Sequence, residues 1–201
     1  MGNILKKTLA KIRYQVYSIN VRNKDLGIIF FAGIYGVGKS TLSSKISKTI
    51  LLPEYSASEL ISMSNNEEYG KNKFVSDVKK NQVILAENSK KILQEKGDFL
   101  MSGHFCIFNS DYSINILPTT FFDEAQIKTI ILLVADIDRV LQNLNSRDAI
   151  TYKKSDLLAL QKFEIEQAEK ISQIRKIPFH IYNMEFSDND ISNVIKLIHG
   201  E

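Results

Sequence analysis

The stretch Gly27-Ile28-Ile29-Phe30-Phe31-Ala32-Gly33-Ile34-Tyr35-Gly36-Val37-Gly38-Lys39-Ser40-Thr41 decides how the chain folds. Its opening run, Gly27 to Ala32, is short and apolar, as expected of a parallel strand covered on both faces. Gly33 to Ser40 then fits G-x-x-x-x-G-K-[ST], the spacing of a phosphate-binding loop. The glycines let the backbone curl so that successive N–H groups point inward at phosphate oxygens. A helix starting at Lys39 offers the positive end of its dipole. Lys39 supplies a mobile charge for β- and γ-phosphates, and the Ser40 hydroxyl suits Mg²⁺. The nucleotide contacts expected from the loop are Gly33, Tyr35, Gly36, Val37, Gly38, Lys39, Ser40 and Thr41.

Downstream, strand and helix alternate. Lys39 to Leu51 reads as a helix and Pro53 to Ser56 as a weak strand. Ser58 or a neighbour caps a helix through Met63. A charged loop runs to Lys73, and a long helix covers Val75 to Lys96, closed by Gly97. Phe99 to Met101 is a strand. Ile127 to Ala135, β-branched and leucine-rich, is the clearest strand of all. Asp136 caps a helix to about Asn145, and Ser155 caps another to about Arg175. Ile177 to Tyr182 is the last strand, and Ser187 or Asp188 opens the final helix. The alternation predicts an α/β fold, a parallel sheet with helices on both faces.

Upstream, residues 1–24 carry Lys6, Lys7, Lys11, Arg13, Arg22 and Lys24 and no acid, so the rest of the chain holds −3 of the net +3. Leu5, Leu9, Ile12, Val16 and Ile19 share one helix face. Residues 1–25 therefore read as a basic amphipathic appendage and 26–201 as one domain. Such a helix suits an anionic membrane surface, nucleic acid or a protein partner, and packing on its own domain or a second copy is the commoner use of an apolar face.

Length and composition bound the rest. At 201 residues, 44% apolar and 24% charged, the chain is globular. It can bury about 70% of its unfolded surface without a metal or disulfide staple. One cysteine, Cys106, and three histidines without ligand spacing exclude an internal disulfide and a thiolate zinc site. No apolar run approaches the roughly 20 residues of a membrane helix. No signal peptide is legible, and a cytoplasmic location is expected.

Beyond the loop, residues 27–201 resemble the P-loop nucleoside and nucleotide kinase group, in particular the compact archaeal-type adenylate kinases and related bacterial AAA-type ATP-binding proteins. The resemblance is carried by the loop itself and by Ser56-Ala57-Ser58-Glu59-Leu60-Ile61 after the second strand. Met101-Ser102-Gly103-His104-Phe105 after the third strand, Ser146-Arg147-Asp148, and Gln161 to Glu164 add to it. It implies a three-layer P-loop NTPase fold with a five-stranded parallel sheet in the order 2-3-1-4-5. It also implies ATP and Mg²⁺ as cofactors, an acceptor segment after strand two, and a lid around Arg147. Two departures stand out. Such kinases commonly end strand three with Asp-Gly, where this chain has Ser102-Gly103. A serine can hold a magnesium-bound water but brings no charge. The acceptor segment, Ala57 to Asn81, contains Lys71, Lys73, Lys79 and Lys80 but no arginine, which weighs against AMP because lysine lacks the bidentate fork.

Phosphoryl transfer needs positioning and charge neutralisation above all. Lys39, Ser40 and Arg147 are the expected participants, with Ser102 at the magnesium shell. Arg139 at the lid base is as well explained by solvation. For a hydroxyl acceptor, Glu59 is the candidate base, with Asp77 and Asp98 weaker. Glu59 is equally explained as a carboxylate favouring a helix dipole. His104 follows a strand's carboxyl end, where ligands of α/β proteins gather, and it reads equally as a hydrogen-bonded structural residue. Cys106, among Phe105, Ile107 and Phe108, reads as an inert buried thiol. Phe105, Phe108, Phe121 and Phe122 read as core before base-stacking. Three functions fit: transfer of the ATP γ-phosphoryl to a nucleotide or nucleoside, an ATP-binding switch or assembly module with slow hydrolysis, and a kinase of a sugar nucleotide or nucleic-acid end.

Overall fold

The computed structural model describes residues 26–65, 77–147 and 151–201. The basic segment 1–25, Lys71, Lys73 and Asp148 lie outside these residues. In chain order the elements are β1 (Ile28–Ala32), α1 (Lys39–Ile50), β2 (Glu54–Ser56), α2 (Ala57–Asn65), α3 (Val78–Lys96), β3 (Phe99–Ser102) and β4 (Cys106–Phe108). There follow β5 (Ile114–Ile116), α4 (Thr120–Glu124), β6 (Ile127–Val134), α5 (Ile137–Arg147), α6 (Lys154–Arg175), β7 (Phe179–Asn183) and α7 (Asn189–His199).

The apolar runs become the sheet. β1 is wholly buried and pairs in parallel with β3 on one side and β6 on the other. β2 and β7 complete five parallel strands in the order β2-β3-β1-β6-β7. Counting only members of this sheet, the order is the expected 2-3-1-4-5. Helices flank the sheet in two sets. α1 packs on α7, while α2, α3, α4, α6 and α5 pack on one another in succession. The core is aliphatic around β1 and β6 and aromatic beneath β3, where Phe30, Phe105 and Phe122 pack edge-to-face or stacked within 5.6 Å. Phe121 joins this cluster and Phe108 is buried beside Tyr112, so these aromatic rings are core.

Several local expectations need correction. β4 and β5 form an antiparallel hairpin between the third and fourth strands of the sheet, and α4 follows it; neither was expected. The hairpin turn closes through Asn109 and Ser113, with Tyr112 left-handed at φ 64° and Asp111 accepting from the Ser113 amide. The cap of α2 is Ser56, not Ser58. The Ser56 hydroxyl accepts from the Glu59 amide, and the Glu59 carboxylate accepts from the Ser56 amide, a reciprocal capping box. Lys153, in extended conformation, precedes α6, and Ser155 lies inside its first turn. Asp136 caps α5 as expected, accepting from the amides of Asp138 and Arg139.

Candidate functional site

The carboxyl ends of β1, β3 and β6 meet at one edge of the sheet, and the loop from Gly33 to Gly38 crosses it. Gly33 has φ 140°, and a Cβ there would sit 2.5 Å from the Leu133 carbonyl oxygen, so only glycine lets the loop leave β1 past β6. Gly36 has φ 77° and lies on α5, where a Cβ would meet Leu144 Cγ at 2.7 Å. From the same helix the Asn143 carboxamide donates to the Gly36 carbonyl at 2.9 Å. α1 starts at Lys39 with no acidic residue in its first turn and no side-chain cap, leaving its amide end open to an anion. Lys39 is only 9% exposed, and its ammonium donates to the carbonyls of Gly33 at 2.6 Å and Ile34 at 2.9 Å.

A cleft of about 870 Å³ opens over this loop. It brings together Tyr35, Gly36, Gly38, Lys39, Ser40 and Thr41 from the loop and α1 with Ser102 and His104 from the β3 end and Arg147 from the α5 end. The Ser102 side chain, 5% exposed, ends β3 there. His104 packs on Tyr35 with ring centroids 4.7 Å apart and the planes tilted by 47°. The Tyr35 hydroxyl is hydrogen-bonded to the Phe108 backbone, and burial raises its pKa well above the ordinary tyrosine value. Gly33 and Val37 are buried beneath the cleft and do not line it.

Other candidates are held elsewhere. Glu59 is exposed, is engaged by Ser56 at 2.6 and 2.8 Å, and does not line the cleft. Asp77 caps α3 through the Lys80 amide. Asp98 lies at the opposite, amino end of β3, buried, bonded to the Gly27 amide and paired with Lys128 at 3.0 Å. Burial pushes the Cys106 thiol up to about 12, so it is no thiolate nucleophile near neutrality.

Sequence reasoning missed three features. First, Phe186 lines the cleft between β7 and α7 with φ 58°, uncommon for a bulky side chain, and the Arg139 guanidinium lies 5.4 Å from its ring centre. Second, Gln82 on α3 lines the cleft, is 5% exposed, and hydrogen-bonds through its side chain to none of the described residues. Third, Gln161 and Glu164 brace the ends of two strands of the sheet and the start of the loop. The Gln161 carboxamide pairs with both the N–H and the C=O of Ala135, at 3.1 and 3.2 Å, fastening the end of β6. Glu164, one turn on, accepts from the amides of Gly33, Phe105 and Cys106. Burial raises its carboxyl to about 7, against the opposing pull of the Lys39 charge and these three amides.

Among the described residues no three His, Cys, Asp or Glu gather into a metal-binding group. The donors at the loop are instead the hydroxyls of Ser40 and Ser102. Such a set suits a hard cation held chiefly by phosphate oxygens and water rather than a cation caged by protein.

A nucleotide-binding loop at the end of the central strand of a 2-3-1-4-5 parallel sheet defines a P-loop kinase-type protein. An AAA-domain family model, AAA_17, matches residues 32–158, more than half of the chain, and the protein belongs to that family. Solved structures that share the fold include three kinases. Shikimate kinase from Bacteroides thetaiotaomicron is similar at 14% identity and TM-score 0.54, over 87% of this chain and 99% of that one. A gluconokinase from Sinorhizobium meliloti is similar at 13% and 0.52, over 88% and 95%. Deoxyadenosine kinase from M. mycoides is similar at 16% and 0.51, over 86% and 98%. No curated protein matches the sequence.

Proposed function

We propose that this protein transfers the γ-phosphoryl group of ATP to a small acceptor, a nucleoside or nucleotide before other classes. The observation that carries this reading is the continuity of one cleft. It runs from the open amide end of α1 to a pocket beyond Ser102 and His104, with a volume suited to a nucleotide and a small partner. In this reading the triphosphate lies on the amides of Gly36, Gly38, Lys39, Ser40 and Thr41. The Lys39 ammonium moves from its carbonyl partners to the β- and γ-phosphates. The Arg139–Phe186 pair offers a flat surface for the base of ATP. Arg147, at the last turn of α5, supplies charge at the transferring group.

Ser40 would hold Mg²⁺ directly and Ser102 through water, and the ion would neutralise charge on the phosphate oxygens. On the acceptor side the cleft is lined by Ser58, Ile61, Gln82, Leu85 and Phe121, neutral groups that suit an uncharged body recognised by a carboxamide. His104 reaches the acceptor or its phosphate. A cytoplasmic location goes with this reading, as does contact of the basic segment 1–25 with a protein, nucleic acid or membrane surface.

A second reading, an ATP-dependent switch with slow hydrolysis, is favoured by Ser102, which brings no charge where an acid is usual. Transfer of labelled γ-phosphate to nucleosides, nucleoside monophosphates, sugar nucleotides and nucleic-acid ends separates the two. The kinase reading expects a labelled product that disappears in Lys39→Ala. MgATP binding without product from any acceptor overturns it and leaves the switch.

A further inference from the structure

Glu164 is the most deeply buried acidic side chain of the cleft region, 1% exposed, yet it lines no part of the cleft. Its carboxylate joins the start of the nucleotide loop to the Phe105–Cys106 backbone, two segments that also meet through Tyr35, whose ring packs on His104 and whose hydroxyl meets the Phe108 backbone. Oε1 accepts from the Gly33 amide at 3.1 Å and shares the Phe105 amide, 3.0 Å from each oxygen. Oε2 also accepts from the Cys106 amide at 2.7 Å. Gly33 opens the nucleotide loop, and Phe105 directly follows His104. A neutral buried side chain would satisfy these donors poorly, because only a carboxylate offers acceptor capacity on both oxygens. The stability of the fold does not require a charge here; burying one is costly. The geometry therefore asks what the carboxylate secures that an apolar packing contact would not.

We propose that Glu164 is a positioning residue that registers the nucleotide loop against the His104 segment, setting the distance between the phosphoryl donor and its acceptor. The inference rests on the kinase reading for its kinetic consequence, though the anchoring itself does not. A carboxylate holding both segments fixes them relative to α6. Protonation converts one oxygen from acceptor to donor and releases part of the grip. The ionisable groups acting on it are Lys39 from α1, Tyr35 from the loop and Cys106 from β4. Lys39 favours its ionised form, while Tyr35 and Cys106 are neutral near pH 7. Misplacing donor and acceptor by a fraction of an ångström lowers turnover far more than nucleotide affinity, since Lys39 and the α1 amides still grip the triphosphate.

The test is Glu164→Gln in the full chain, which keeps volume and removes ionisation. At pH 8 we expect kcat to fall at least tenfold while the MgATP dissociation constant changes less than threefold. The wild type should lose kcat as pH falls through about 7, and the variant should lack that limb. Amide exchange should quicken at Gly33, Phe105 and Cys106 together, with Ile130 and Leu132 unaffected. Unchanged kcat, or loss of protection spread evenly over the sheet with an unaltered pH profile, overturns the proposal. If the wild type itself transfers no phosphate, the kinase reading fails. The exchange pattern then still decides the anchoring: local quickening at the three amides supports it, and its absence rejects it.

Discussion

At the scale of single residues, Lys39 and Glu59 illustrate opposite fates of a charged side chain near a cleft. Lys39 is withdrawn onto two carbonyls of its own loop, hydrogen-bonded and mostly buried, so it is poised for a triphosphate without being an uncompensated charge. Replacing it with alanine is expected to weaken MgATP binding at least about 100-fold by calorimetry, roughly 2.7 kcal/mol. The circular dichroism spectrum should be unchanged. Glu59 is fixed instead in the α2 cap. Glu59→Ala should cost about 1 kcal/mol in urea unfolding and leave phosphoryl transfer within about twofold of wild type. A large loss of transfer with normal stability would restore its role as a base. The loop signature made Lys39 legible because its spacing is dictated by phosphate geometry. The choice for Glu59 was open because a helix cap and a base use the same residue type. Ser56 three positions earlier was the signal for the cap. Phe186 and Gln82 left no trace in the sequence, since their importance comes from long-range proximity to the loop.

Among the elements, α5 supports the nucleotide loop at Gly36. Leu144 is fully buried beneath Gly36, and Asn143 next to it holds the Gly36 carbonyl. Leu144→Ala is expected to cost about 2–5 kcal/mol in chemical unfolding. It should also weaken MgATP binding, because the cavity lies directly under the loop. A stability loss with unchanged affinity would show the loop to be held by α1 alone. β1, β3 and β6 were readable as apolar runs, β2 only as a weak strand, and the caps at Asp136 and Gly97 as punctuation. The β4–β5 hairpin was not read, although Cys106-Ile107-Phe108 and Ile114-Asn115-Ile116 flank a polar Asn109–Ser113 turn. Each strand is only three residues long, too short for period-two alternation to rise above chance. The hairpin matters because Phe108 anchors Tyr35, which in turn packs on His104.

For the molecule as a whole, Glu164 ties stability to pH. Its folded-state value near 7 lies above that of the unfolded chain, so between the ordinary carboxylate range and pH 7 the folded form binds the extra proton. The resulting stabilisation is fully present below the unfolded value and is lost as pH rises through about 7. The urea midpoint of the wild type relative to Glu164→Gln should therefore fall from pH 4.5 to pH 8. A constant difference across that range would show that the carboxyl titrates normally. No helix among the described residues is long and apolar enough to cross a membrane.

The position of β1 at the centre of the sheet carries a consequence for synthesis on the ribosome. β1 leaves the exit tunnel before both of its neighbours, Phe99–Ser102 and Ile127–Leu132, which lie some 70 to 100 residues later. The Gly33 amide waits longer still, for Glu164, 131 residues further along the chain. A nascent protein that ends before Ile127 therefore lacks one neighbour of β1, and one that ends before Glu164 has a loop without its anchor. Contacts so far apart in the chain close late in folding, and until they do an apolar strand and its loop are open to non-native association.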